Sequence, residues 1–131
     1  MIQLIRLLTK IMVVVIGLLI ISPISYADGN KLLKDCGAII HSMDTNEMTG
    51  SEIGMGFCLG MVSGVRNTMA VYQETLQRDG SLKVACIPGN NIDNIQLVRI
   101  VTSYLKNHPE KLHEHESFLT INAFLDAYPC S

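Results

Sequence analysis

The run His113-Glu114-His115-Glu116 is the densest cluster of potential proton carriers and metal ligands in the sequence. A helical zinc protease sets its two histidines four residues apart, so that both imidazoles face one metal. Two residues apart they diverge by about 200° around a helix axis, so this run reads as a solvated polar face. An enzyme built on His113 or His115 would instead carry bound metal when purified. His41 and His108 fall near expected helix ends, where capping or the helix dipole accounts for an imidazole. No serine stands in a recognisable nucleophile motif. Gly54-Met55-Gly56 falls inside an expected helix rather than after a strand, which removes the phosphate-loop reading. The absence of Trp and an aromatic content of 5% leave little for a sugar to stack on. The sequence therefore predicts no catalytic residue, no cofactor and no metal site.

The elements that would position any site follow from apolar spacing. Leu32, Leu33, Cys36, Ile39, Ile40 and Met43 recur at intervals of three and four and predict an amphipathic helix over Asn30 to Met43. Thr49-Gly50-Ser51-Glu52 has capping-box spacing and opens a second, longer helix, running to about Arg78 before Asp79-Gly80 stops it. Within it Gly56, Gly60 and Gly64 share one face at about 1 kcal/mol each relative to Ala. The expectation is that another helix of the same fold packs tightly there, a partner-binding face being the second reading. Gln77 to Asn94, rich in Gly, Asn and Asp, is a long connection. Asp93-Asn94-Ile95-Gln96 caps a third helix with Leu97, Val98, Val101, Tyr104 and Leu105 as its apolar stripe. His108 and Pro109 end it, and Pro109 at a first helical position opens a fourth, Glu110 to about Ala127. Phe118, Leu119, Ile121, Ala123, Phe124 and Leu125 cover nearly every direction of that helix and mark its second half as the buried centre. The fold class is all-α, a compact four-helix domain.

Four cysteines, Cys36, Cys58, Cys86 and Cys130, allow three pairings. Cys36 and Cys58 are equidistant from residue 47, in the loop between the first two helices, and Cys86 and Cys130 are equidistant from residue 108, at the break between the last two. Positions equidistant from the turn of an antiparallel hairpin lie side by side, so Cys36 pairs with Cys58 and Cys86 with Cys130. A zinc site competes poorly, because no two cysteines have metal-knuckle spacing.

Arg6 and Lys10 precede the uncharged apolar run Ile11 to Ile21, and Ser25 and Ala27 fit a small-residue cleavage site. Residues 1–27 therefore read as a cleaved signal peptide. The run is shorter than the roughly 18 apolar residues that a membrane span needs. Residues 28–131 then form one soluble domain in an oxidising compartment, where an even cysteine count reads as disulfides. Eight Lys and Arg stand against twelve Asp and Glu in that part, a net charge of about −4 with His neutral. This argues against nucleic-acid binding, which leans on clustered basic surface.

Four pieces in order, Cys58-Leu59-Gly60-Met61-Val62-Ser63-Gly64, Cys86-Ile87-Pro88, Gln96-Leu97-Val98 with Tyr104-Leu105-Lys106-Asn107-His108-Pro109-Glu110, and Ala127-Tyr128-Pro129-Cys130, resemble the Rap/Tai family of type VI secretion immunity proteins. The resemblance runs from about Cys36 to the C-terminus. It implies a periplasmic helical protein, often a homodimer, that binds and blocks a toxin delivered by neighbouring bacteria, the best-known being peptidoglycan amidases. The shared motif residues look structural, so the resemblance assigns no toxin contact.

Partner contacts are expected instead in the connection between the hairpins, at Arg78, Asp79, Lys83, Asn90 and Asn91, with the polar start of the fourth helix beside them. Arg66-Asn67 after the glycine face is a further candidate. Met55, Met61, Val65, Met69 and Tyr72 offer more apolar surface than a four-helix core needs, which suits a homodimer. The alternative function is a small periplasmic chaperone of the acid-stress type. No nucleic acid and, after cleavage, no membrane is expected as partner.

Overall fold

The computed structural model describes residues 28–76, 85–89 and 92–130, with Arg6 and Met12 alone before them. The signal-peptide reading of residues 1–27 lies outside the described residues. Among the described residues four helices follow one another, α1 (Gly29–Thr45), α2 (Glu52–Leu76), α3 (Asn94–Asn107) and α4 (Glu116–Ala127), with a 3-10 turn at Pro109–Lys111. Among the described residues the one extended pairing is an isolated antiparallel bridge between Asp28 and His115.

α1 begins where the Asp28 carboxylate accepts the Lys31 N–H at 3.0 Å, a side-chain cap on an otherwise orphaned donor. It ends on Asn46 in the left-handed region (φ 58), whose N–H donates to the Ser42 carbonyl. The turn to α2 then needs Gly50: its φ is +96, and a Cβ there would meet the Ala38 Cβ at 2.7 Å. The α2 cap is Ser51 and not Thr49, as the capping-box spacing implied. Ser51 Oγ accepts the Gly54 N–H at 3.0 Å and Glu52 is the first helical residue, where its charge suits the helix dipole.

The centre of the domain is α3, which packs against all three other helices. Its Leu97, Val98, Val101 and Leu105 are wholly buried against Leu32 and Cys36 of α1, Cys58 and Val62 of α2, and Leu119 and Phe124 of α4. The expectation that the fourth helix forms the centre is corrected here. Only one side of α4 is buried, through Leu119, Thr120, Ala123 and Phe124, whereas Phe118 (55% exposed) and Leu125 (41%) face outward.

The start of the fourth helix is also corrected. Pro109 opens a 3-10 turn and nothing longer, and the chain stays non-helical to His115. Two long-range contacts hold it there: the Gly29 N–H donates to the Glu114 carbonyl at 3.1 Å, and the Asn30 side-chain amide donates to the Leu112 carbonyl at 3.1 Å. These carbonyls turn toward the start of α1. Gly29 is pressed so closely on this segment that a Cβ would lie 2.9 Å from the Leu112 backbone.

Both disulfides join the predicted partners. Cys36–Cys58 ties α1 to α2 with Cα atoms 5.3 Å apart, and Cys86–Cys130 ties the segment before α3 to the chain after α4 with Cα atoms 5.0 Å apart. They close separations of 22 and 44 residues, so each restricts the unfolded chain by about 3–4 kcal/mol in the loop-entropy picture.

Candidate functional site

Among the described residues the histidine and carboxylate side chains do not gather at one point. His113 and His115 are exposed, but Glu116 is only 4% exposed, which corrects the reading of this run as a wholly solvated face. His115 is the cap of α4: its Nδ1 accepts the Ser117 N–H at 3.4 Å and sits 3.5 Å from the Glu116 carboxylate. The buried Glu116 Oε2 has no hydrogen-bond partner. Its position in the first turn of α4 gives the charge a favourable dipole in place of one. His108 stacks on Tyr104 with ring centroids 4.2 Å apart, and its Nδ1 lies 2.9 Å from the Tyr104 carbonyl, so it closes α3. Among the described residues no group of three or more His, Cys, Asp or Glu is placed to hold a metal ion.

What the fold offers is surface, on two sides of α2. On one side a cleft of about 550 Å³ has Arg66, Asn67, Gln73 and Glu74 on one wall and the segment Cys86 to Gly89 on the other. α2 supplies its wall because residues 66, 70, 73 and 74 recur at helical spacing and face one way. The opposite wall is fixed at several points. Cys86 is bonded to Cys130 and donates its N–H to the Tyr128 carbonyl at 2.8 Å. The Ala85 carbonyl accepts from the Gln73 amide, and Arg66 Nη2 donates to the Gly89 carbonyl at 3.3 Å. Polar groups held in place by cross-links lose little freedom on meeting a partner.

On the other side a groove of about 570 Å³ runs between Phe57, Met61, Val65 and Met69 of α2 and Ser117 and Ile121 of α4. Gly60 and Gly64 form its lip, and nothing in the described chain lies within 4 Å of a Cβ built on Gly56, Gly60 or Gly64. The expectation that another helix of the same fold packs on this face is therefore overturned. The disulfide holds α2 against α1 through Cys58, on the far side of the helix from these glycines. The methionine expectation also changes: Met69 is buried, Met55, Met61 and Val65 are half-buried, and Tyr72 alone of the five stays exposed.

Of the sequence-predicted contact residues, Arg78, Asp79, Lys83, Asn90 and Asn91 lie outside the described residues. Arg66 and Asn67 are brought together with the Cys86 segment, as part of one cleft. Gln73 and Glu74 were missed. Their spacing of seven from Arg66 and Asn67, two helical turns on the same face, is the signal that finds them.

Clefts thus flank both sides of one long helix, and a cross-linked segment walls one of them. Residues 28–130 match the sequence model of the family described as Rap1a immunity proteins, and the chain belongs to that family. It is thus an immunity protein, a class that acts on a toxin by binding it. No curated protein and no solved structure matches the chain.

Proposed function

We propose that the mature chain is a periplasmic homodimer that binds a toxin delivered by a type VI secretion system and occludes its active-site cleft, the toxin being a peptidoglycan amidase. Family membership supports the immunity role. The apolar run after Arg6 and Lys10 supports export, and two disulfides suit an oxidising compartment. The observation that carries the occlusion is the cleft between Arg66, Gln73 and Glu74 and the cross-linked segment Cys86 to Gly89. A polar edge held at four points can enter another protein's cleft without first being ordered.

The experiment is periplasmic expression of the toxin encoded beside this gene, with and without the protein. Survival with co-expression, and a complex that co-elutes at micromolar concentration, are expected. Lysis despite confirmed co-expression, with no complex, overturns the proposal. Acid-triggered binding of unrelated unfolded proteins in place of one tight partner would favour the chaperone.

A further inference from the structure

Two carboxylate oxygens beside the start of α1, Glu114 Oε2 and Glu116 Oε2, are buried with no hydrogen-bond partner, and the Glu116 side chain is only 5% exposed. They flank His115, the residue that Asp28 faces across the isolated antiparallel bridge. The 3.1 Å bond from the Gly29 N–H to the Glu114 carbonyl sets the register there. Asp28 and His115 are thus a non-hydrogen-bonded pair, with Cα atoms about 4.5 Å apart. Because the strands run antiparallel and Gly29 lies toward Glu114, the amino side of Asp28 lies toward Glu116. Asp28 is held in that place. Its side chain caps α1 through the Lys31 N–H, and the Asn30 amide donates to the Leu112 carbonyl.

The described side chains nearby leave the two carboxylates unmet. His115 Nδ1, 3.5 Å from Glu116 Oε2, accepts the Ser117 N–H and so has no proton to offer. Lys31 is taken by Asp35, and Lys111 donates to the Tyr104 hydroxyl. The α4 dipole favours the Glu116 charge but is smaller than the cost of an unpaired carboxylate in the interior. A buried acceptor of this kind in a native fold calls for an explanation.

We infer that Glu116, seconded by Glu114, holds the α-ammonium of the mature chain, the cation made when the signal peptide is cut from Asp28. The inference rests on the export proposed above, with cleavage after Ala27. Hydrolysis adds water across that bond, the hydroxyl to the Ala27 carbonyl and the hydrogen to the Asp28 nitrogen, which becomes an amine protonated at neutral pH. An uncharged amide with one N–H is replaced by a cation with three. Cleavage thereby completes the join between the start of α1 and the segment 112–116, and the uncleaved chain keeps unpaired carboxylates at that join. The domain that must bind the toxin reaches its full stability only once the leader is gone.

The test uses protein recovered from the periplasm, with its first residue read by intact mass. It is compared with a chain that carries one added glycine ahead of Asp28, each with and without Glu116→Gln. The added glycine is expected to lower the melting temperature by roughly 4–8 °C, and Glu116→Gln to lower that of the authentic chain by a similar amount. The two losses should not add, because both remove one pair. Acylation of the Asp28 α-amine at neutral pH, followed by mass, should be slow in the authentic chain and severalfold faster in Glu116→Gln, a change that a merely structural glutamate would not produce. A chain that begins at Asp28 but loses as much to Glu116→Gln with the added glycine as without it, and acylates at one rate in both, overturns the pairing and leaves the export reading standing. A recovered chain that begins at another residue overturns the cleavage site and the inference together.

Discussion

Gly54 lies directly over the carboxylate of Asp35, so that a Cβ on it would overlap Asp35 Oδ1 and lie 2.8 Å from its Cγ. Asp35 is 8% exposed and is held by Lys31 Nζ at 2.5 Å, and the Lys31 ammonium in turn sits 4.4 Å above the Phe57 ring. The carboxylate thus rests against the first turn of α2, one residue from Cys36, where the helix dipole favours negative charge. Gly54→Ala is expected to destabilise the domain by about 1–3 kcal/mol through overpacking, despite the better helix propensity of Ala. At about 4–8 °C per kcal/mol for a domain of this size, the melting temperature falls by roughly ten degrees. An unchanged or raised melting temperature would show that Asp35 moves aside freely.

The two disulfides have separable effects. Removing Cys36–Cys58 with Ala at both positions leaves two buried positions short of a sulfur within the core, so it costs stability and disturbs the α1–α2 packing. Cys86 is exposed and Cys130 half-buried, and the bond between them mainly fixes the wall of the polar cleft. The Cys86→Ala, Cys130→Ala double variant is expected to lose about 2–4 kcal/mol of stability. At a temperature where it is still folded, it should also weaken the toxin complex more than the core-disulfide variant does. Calorimetry with hydrogen exchange at Ala85 to Gly89 separates the two effects.

Acid sensitivity follows from two carboxylates. The hydrogen bonds and charge of the Arg99 guanidinium, at 2.6 Å, hold the Asp44 carboxyl below its ordinary value of 3.8, overcoming a smaller opposing effect of burial. The Lys31 N–H does the same for Asp28 at the α1 cap. A folded-state value below the unfolded one contributes stability that is present above the unfolded value and is lost as pH falls through the folded one. Denaturant midpoints are therefore expected to be flat from pH 7 to about 5 with respect to these groups and to fall below about 4. Asp44→Asn should make the fall shallower. At the alkaline end the Tyr104 hydroxyl, 3.1 Å from the Lys111 ammonium, raises Lys111 above 10.5, so that contribution is present below 10.5 and is lost above it.

The parts of the fold that were legible in sequence are those that one helix or one hairpin decides. The disulfide pairing could be read because an antiparallel hairpin places Cys36 by Cys58 and Cys86 by Cys130 whatever surrounds them. The start of α4 could not. Pro109 begins a 3-10 turn as readily as an α-helix, and the bond from Gly29 to the Glu114 carbonyl, which holds the chain out of helix, joins residues 85 apart. The Gly56, Gly60, Gly64 face was visible as a place of close approach, but helical periodicity does not tell which body approaches. Of the polar cleft, Arg66 and Asn67 stood out beside a glycine motif. Gln73 and Glu74 did not, because a polar residue on a helix gains meaning only when the Cys86 segment is seen across from it.

On the proposed occlusion, neutralisation is expected to depend on the polar cleft and to need no histidine chemistry. Arg66 spans the cleft to Gly89, and Glu74 lies exposed on the α2 wall, so their truncation changes the surface while touching no core residue. Surface substitutions away from caps and cavities usually shift stability by less than about 0.5 kcal/mol. If this cleft meets the toxin, Arg66→Ala with Glu74→Ala should weaken the complex by tenfold or more, as removal of central polar anchors does, with an unchanged melting temperature. His41→Ala with His113→Ala, two exposed imidazoles remote from any cluster, should protect cells as well as the unaltered protein; His108 is left in place because it closes α3. Full protection by the Arg66, Glu74 variant together with unweakened toxin binding would move the contact elsewhere, and lost protection in the histidine variant at equal protein level would reopen the question of chemistry.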